Sequence, residues 1–272
     1  MANAPIPLLQ YEDLQSQIVP ILTVHGPRDD LRIDSVEGTG FFPVPRVFVT
    51  CWHCVARPRG YVAMVRIPGS ERYSLWPLLD ITRHPNGCDL AVARVALTHT
   101  RPLALSIADS EALAGTEVWS YGYPFSTLLR GMDGENVLHW GGRYLQGYIT
   151  QGFHDEDRGY GTTMAYELDM PTPAGLSGAP LLKRNTREII GVVYGMNDVA
   201  LMEHFSQIDQ EGNRLPEIQR VVSFGLAHHT ANLQSLAGPA TNGKPLAEYI
   251  RTPGAMAIAP LPSTQIRPRP KG

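Results

Sequence analysis

Apolar residues near the amino end recur at helical spacing and then, for most of the chain, at strand spacing. Leu14, Ile18 and Ile21 fall at helix-compatible intervals behind Glu12 and Asp13, which predicts a short helix or lead-in from Tyr11 to Ile21 ending near Pro20. Residues 1 to 10, interrupted by proline, are expected to lie extended. Short alternating or apolar runs rich in Val, Phe and Thr follow at Val19 to Val24, Gly38 to Pro45, Arg46 to Cys51, Tyr61 to Ile67, Tyr73 to Leu79 and Leu90 to Val95. A turn-rich stretch over residues 96 to 116, with Thr98, Pro102, Asp109 and Gly115, reads as a surface connector. A second set of runs begins beyond it: Glu117 to Tyr121, Val137 to Trp140, Arg143 to Thr150, Thr162 to Leu168, Pro180 to Lys183, Ile189 to Tyr194 and Val221 to Leu226. Two sets of about six strands on either side of one connector predict an all-β protein of two packed antiparallel six-stranded barrels.

The chain end breaks this pattern. From Ala237 onward it carries Pro239, Pro245, Pro253, Pro260, Pro262, Pro268 and Pro270 with Arg267, Arg269 and Lys271, the composition of an unstructured, mildly basic extension. The expected organisation is a lead-in over residues 1–30, a body over 31–236 with barrels at about 31–100 and 116–236, and a flexible Pro-rich tail over 237–272. With 272 residues, 43% apolar and 18% charged, the body is long and apolar enough for a sizeable core. A net charge of -3 offers no bulk attraction to nucleic acid or to an anionic membrane. No apolar run reaches the ~18 to 20 residues that span a bilayer, and the start lacks the basic and apolar regions of a secretory signal. Three cysteines make no disulfide framework, so free thiols and a cytoplasmic location are expected.

Chemistry enters with Gly175-Leu176-Ser177-Gly178-Ala179-Pro180, which sets a serine between glycines just after a Pro-rich loop and just before an apolar run. Glycines on both sides let the backbone curl until its amides point at one spot, where they can hold an oxyanion. A nucleophilic serine needs a base and an acid to orient it. His53 ends the run Val47-Phe-Val-Thr50, where a rigid strand can hold an imidazole, and Asp89 heads Leu90-Ala-Val-Ala-Arg94. Histidine, aspartate, then serine is the chain order of the chymotrypsin-type triad.

The blocks Gly38-Thr-Gly-Phe-Phe, Val49-Thr50-Cys-Trp-His53, Cys88-Asp89-Leu-Ala-Val, Gly175-Leu-Ser177-Gly-Ala-Pro180 and Ile190-Gly191-Val-Val resemble trypsin-like serine peptidases over residues 35 to 228. The disulfide-free bacterial HtrA-like branch is more similar than digestive trypsin, although no PDZ sequence is recognisable after it. The resemblance implies hydrolysis of a protein or peptide substrate through an acyl-enzyme, with no cofactor and no metal. Ser177 would be the nucleophile, His53 the base and Asp89 its orienting carboxylate, and the amides of Gly175 and Ser177 would form the oxyanion hole. Leu176 stands where zymogens of the family carry an aspartate, which points to a site that forms unaided or answers to a regulatory protein partner. Pro171, six positions before the serine, would be the pocket base, with Tyr194, Gly195, Met196, Phe224 and Gly225 as walls and Asp169 nearby. Small or apolar residues before the scissile bond are therefore expected. The alternative is a barrel protein that binds without turnover.

Competing signals are weaker. Cys51 and Cys54 have Cys-x-x-Cys spacing, with Cys88 and His84 as conceivable zinc partners, but a Val/Thr strand leads into the pair and no second ligand pair is present. The triad geometry would gather all three thiols in one neighbourhood. His228-His229 reads as a surface turn, and Trp119, Tyr121, Tyr123 and Phe125, alternating at strand spacing, read as core.

Overall fold

The computed structural model describes residues 11–27, 32–67, 70, 72–96, 105–130, 136–156, 163–202 and 219–252. The extended start over 1–10, residues 97–104 of the connector, and the tail from Pro253 lie outside the described residues. The first barrel comprises β1 (Ile18–His25), β2 (Arg32–Val44), β3 (Val47–Cys51), β4 (Tyr61–Arg66), β5 (Tyr73–Pro77), β6 (Leu79–Arg83) and β7 (Leu90–Arg94). These pair in the order β5-β4-β1-β2-β3-β7-β6. Only Leu78 separates β5 from β6, and Asp80 turns the backbone with a φ of 53°. The two segments therefore act as one bent strand whose halves pair with β4 and β7, closing a ring of six.

The second barrel is built from β9 (Glu117–Gly122), β12 (Arg143–Asp155), β13 (Thr163–Leu168), β14 (Pro180–Lys183), β15 (Glu188–Met202) and β16 (Gln219–His229). Its order is β14-β9-β12-β13-β16-β15, and a β14–β15 pairing closes this ring of six as well. Two smaller pieces lie outside that ring. In the predicted connector, β8 (Ser106–Ile107) adds a short parallel pairing to β15, and β10 (Thr127–Arg130) with β11 (Asn136–His139) makes a separate hairpin. The main core is continuous across both barrels, joining Phe41, Phe48 and Leu90 to Tyr121, Tyr123 and Val192.

Three expectations are corrected. Helix α1 (Tyr11–Gln17) stops where β1 begins, and β1 sits between β2 and β4, so residues 18–25 belong to the barrel rather than to a lead-in. Its Ile18, Ile21 and Leu22 are fully buried, which is what draws it into the sheet. The chain also stays ordered well past residue 237: α2 (Thr230–Ser235), a 3₁₀ turn at Pro239–Thr241 and α3 (Leu246–Arg251) fold back over the body. Pro239 and Pro245 start helical turns here instead of preventing them, because a helix's first residues need no N–H partner. Leu233, Leu236, Leu246 and Tyr249 supply the apolar anchors. Finally, Trp119, Tyr121 and Tyr123 are core but Phe125 is 64% exposed, its ring lying under the Arg143 guanidinium. No described helix is long and apolar enough to cross a membrane.

Leu246 is fully buried between the C-terminal turn and the barrels, so Leu246→Ala should lower unfolding free energy by about 2–5 kcal/mol in urea titration. A change near zero would place this segment outside the cooperative fold.

Candidate active site

The Asp89 carboxylate and the His53 imidazole meet on the first barrel. The end of β3 turns into a 3₁₀ turn, Trp52–Cys54, that projects His53, and Asp89 directly precedes β7, the partner of β3. Asp89 Oδ2 lies 2.6 Å from His53 Nδ1, and Oδ1 accepts the His53 backbone amide at 2.8 Å. The carboxylate is thus held in two places against one residue. Its side chain is 1% exposed, while the imidazole remains 38% exposed. Burial works against charge on that ring, but the Asp89 hydrogen bond and the adjacent Cys54 sulfur outweigh it and push the His53 pKa from 6.5 up to about 10.

Ser177 comes from the second barrel and is fastened to the first. Thr39 of β2 donates its amide to the Ser177 carbonyl at 2.9 Å and its hydroxyl to the Gly175 carbonyl at 2.7 Å. Cys54 Sγ, next to His53, lies 3.6 Å from the same Ser177 carbonyl. Gly175 and Gly178 take φ values of 94° and 90°, which side chains resist, and a Cβ on Gly175 would lie 2.7 Å from the Tyr123 carbonyl oxygen. Among the described residues no acceptor is hydrogen-bonded to the amides of Gly175 or Ser177. The Ser177 hydroxyl itself donates to the Tyr194 carbonyl at 3.3 Å and makes no hydrogen bond to His53.

A sequence match to the trypsin-like peptidase domain covers residues 38–192, the stretch that holds His53, Asp89 and Ser177. The chain belongs to the trypsin-like peptidase family. Its fold is similar to that of the Rv3671c protease of M. tuberculosis in its active form, at 19% identity with a TM-score of 0.53 over 85% of each chain. The inactive form of that protease gives 18% and 0.50, over 84% of this chain and 93% of that one. The HtrA-type protease AlgW with a decapeptide gives 16% and 0.51, over 81% and 63%. No curated protein sequence matches the chain.

Within this family architecture the residues named for the pocket divide. On the β15–β16 ladder Gly195 faces Leu226, Met196 faces Gly225 and Phe224 faces Asn197, while Tyr194 falls at the register shift between Val193 and Gly195. Pro171, read as the pocket base, is exposed. Thr172 beside it is buried, its hydroxyl donates to the Gly195 carbonyl, and its methyl lies 2.5 Å from where a Cβ on Gly225 would stand. Asp169 is turned away and accepts the Tyr148 amide at 2.6 Å.

The three thiols are buried and free, gathered around His53 and Asp89. Burial, then the charge of Asp89, holds the Cys51 thiol well above its usual range and pushes Cys88 up to about 12, so neither is a ready thiolate. Cys51, His53 and Asp89 present ligand atoms within 4.8 Å of one another, a spacing that could hold a metal ion. Nδ1 and Oδ2 are already bonded to each other there, and Cys51 Sγ donates to the Val193 carbonyl at 3.2 Å. His84, weighed as a zinc partner, points instead at α2.

His228 and His229 are not a surface turn. They end β16 with 2% and 6% exposure, because this end of the strand is covered on both faces. The His228 ring stacks on Tyr194 at 4.2 Å, and its Nδ1 is 3.5 Å from Cys88 Sγ. Burial drives its pKa down to about 4 against the opposing charges of Asp89 and Asp155. A histidine depressed in this way leaves stability intact above pH 6.5 and removes it as pH falls toward 4. The span corresponds to about 3 kcal/mol. Urea midpoints measured from pH 7 to pH 4 should fall, and His228→Phe should flatten that slope; His84 and His229, shifted in the same direction, supply what remains.

Proposed function

We propose that the protein is a serine endopeptidase in which Ser177 is the nucleophile, His53 the general base and then acid, and Asp89 the group that orients the imidazole. The observation that carries this reading is the doubly bonded His53–Asp89 pair standing at the interface to which the Ser177 turn is pinned. In the reaction, Ser177 Oγ attacks the scissile carbonyl carbon while its proton passes to His53 Nε2. The amides of Gly175 and Ser177 receive the developing oxyanion, each donor typically contributing ~2.7 to 4 kcal/mol. The tetrahedral species then expels the amine, which takes the proton from His53. Water hydrolyses the acyl-enzyme by the same route in reverse.

Thr172, filling the space between Gly195 and Gly225, supports a shallow pocket and hence small or apolar residues before the scissile bond. No charged side chain faces that pocket from Pro171 or Asp169. Three buried free thiols suit a reducing compartment, and we place the protein in the cytoplasm. There a peptidase must be held in check, and the resting site supplies a means. A protonated His53 cannot accept a proton, and the Ser177 hydroxyl is engaged by Tyr194. Substrate, or a regulatory protein partner, would have to release both.

That same resting geometry is the observation behind the second reading, a barrel protein that binds without turnover. A fluorophosphonate probe separates the two. Wild type should be labelled at Ser177 and should cleave a peptide library after small or apolar residues, and Ser177→Ala should do neither. Wild-type protein that is neither labelled nor able to cleave favours the binding reading.

The raised His53 pKa carries a further expectation with a definite sign. The base is neutral only above its pKa, so kcat/KM should keep rising between pH 7 and about pH 10 instead of levelling near 7. Cys54→Ala removes one of the influences holding the proton and should move that limb to lower pH. A profile already flat above pH 7 in wild type would contradict the assignment.

A further inference from the structure

Asp89 follows a turn, residues 84–88, that is tied down from outside the site. His84 is 4% exposed and uses both ring nitrogens. Its Nε2 lies 3.0 Å from the Asn232 carbonyl of α2 and 3.2 Å from Ser235 Oγ, and its Nδ1 accepts the Asn86 amide at 3.2 Å. The carbonyl fixes the proton on Nε2 and the amide requires a lone pair on Nδ1, so only the neutral ring with that tautomer fits. Asn86 Oδ1 in turn accepts the Cys88 amide at 3.0 Å, one peptide away from Asp89. The His84 amide donates to Leu90 at 2.8 Å, closing the loop, and Arg83 reaches the carbonyls of Gly87 and Cys88. At the far end Asn232 Nδ2 donates to the Met164 carbonyl of β13 at 2.8 Å. A continuous polar chain therefore runs from the second barrel through α2, His84 and Asn86 to the residue beside the carboxylate.

We propose that His84 is a positioning residue: through Asn86 it locks the turn that delivers Asp89 to His53, and it makes docking of the C-terminal helix α2 a condition for a competent His53–Asp89 pair. This rests on the peptidase reading for its consequence but not for its test. The ring proton of His53, identified by its loss in His53→Gln, is followed by NMR titration of the full chain. His84→Phe keeps the ring volume and removes both polar atoms. Asn86→Ala removes the acceptor for Cys88 at an exposed side chain and preserves the fold should His84→Phe fail to fold. Asn86→Asp keeps the acceptor.

His84→Phe and Asn86→Ala should lower the His53 titration midpoint by a pH unit or more, a tenfold or greater loss of proton affinity, because Asp89 no longer sits at 2.6 Å. Asn86→Asp should leave it near the wild-type value. A role confined to stability would lower the melting temperature and leave the midpoint in place. That outcome, in either folded variant, overturns the proposal. Failure of wild type to react with the fluorophosphonate probe sinks the peptidase reading and leaves this titration interpretable.

Discussion

Thr39 is where the two barrels become one site. It is fully buried, and each of its polar groups is used: the amide on Ser177, the hydroxyl donating to Gly175 while accepting the Tyr123 amide at 3.1 Å, the carbonyl accepting Thr50 Oγ1 at 2.7 Å. A buried group left without its partner costs about 1–3 kcal/mol, so these bonds fix the Ser177 turn to β2 with little freedom to drift. The glycine before Thr39 and the glycine after Ser177 are what let the two backbones approach. A Cβ on Gly38 would stand 2.8 Å from the Ser177 carbonyl, and one on Gly178 would collide with Thr39 itself. The relative placement of serine and histidine is thereby a property of the barrel interface and not of either barrel alone.

The turn is held from behind by apolar packing. Leu176 is fully buried with Ala179 and Val193, with Leu145 against them, and its methyl group occupies the space a side chain on Gly122 would need. An aspartate at this position would be a charge in an apolar pocket, stabilised only if a cation were brought to it. With leucine the turn's shape needs no such partner. What stays conditional is the state of two side chains: whether the imidazole carries a proton, and which way the serine hydroxyl points.

Much of this was legible in the sequence, because strands and motif loops are local. Alternation over Arg143 to Thr150 or Leu90 to Val95 marks a strand whatever it pairs with, and His53, Asp89 and Ser177 each sit at a strand end whose neighbours identify it. Two barrels of six were expected from the strand count, but the bend at Leu78 and Asp80 by which the first one closes was not legible, since no residue type signals it. Val19 to Val24 already read as a strand and only its assignment to a lead-in was off, whereas residues 237–252 were read as a flexible tail from their prolines although burial of Leu246 and Tyr249 folds them onto the body. His228 and His229 do face opposite sides of their strand, but both sides are covered. Thr172, His84 and Asn86 act through contacts with chain 53, 148 and 2 residues away, and only the two-residue Asn86 contact could have been suspected beforehand.

The asymmetry within the His53–Asp89 pair suggests how such a site can rest and then work. Asp89 is sealed in the interior, where the imidazole and a backbone amide meet its carboxylate. Its hydrogen bond to the ring favours the proton on His53. Burial is the influence opposing that proton, and it is incomplete because more than a third of the imidazole still faces water. On the peptidase reading, a peptide laid across the cleft removes that water and strengthens the one effect that favours the neutral ring. The same peptide brings its carbonyl carbon to a hydroxyl now held only by a 3.3 Å bond to Tyr194. Binding and arming of the base then become a single event, and a substrate too poorly fitted to cover His53 would leave the enzyme protonated and idle.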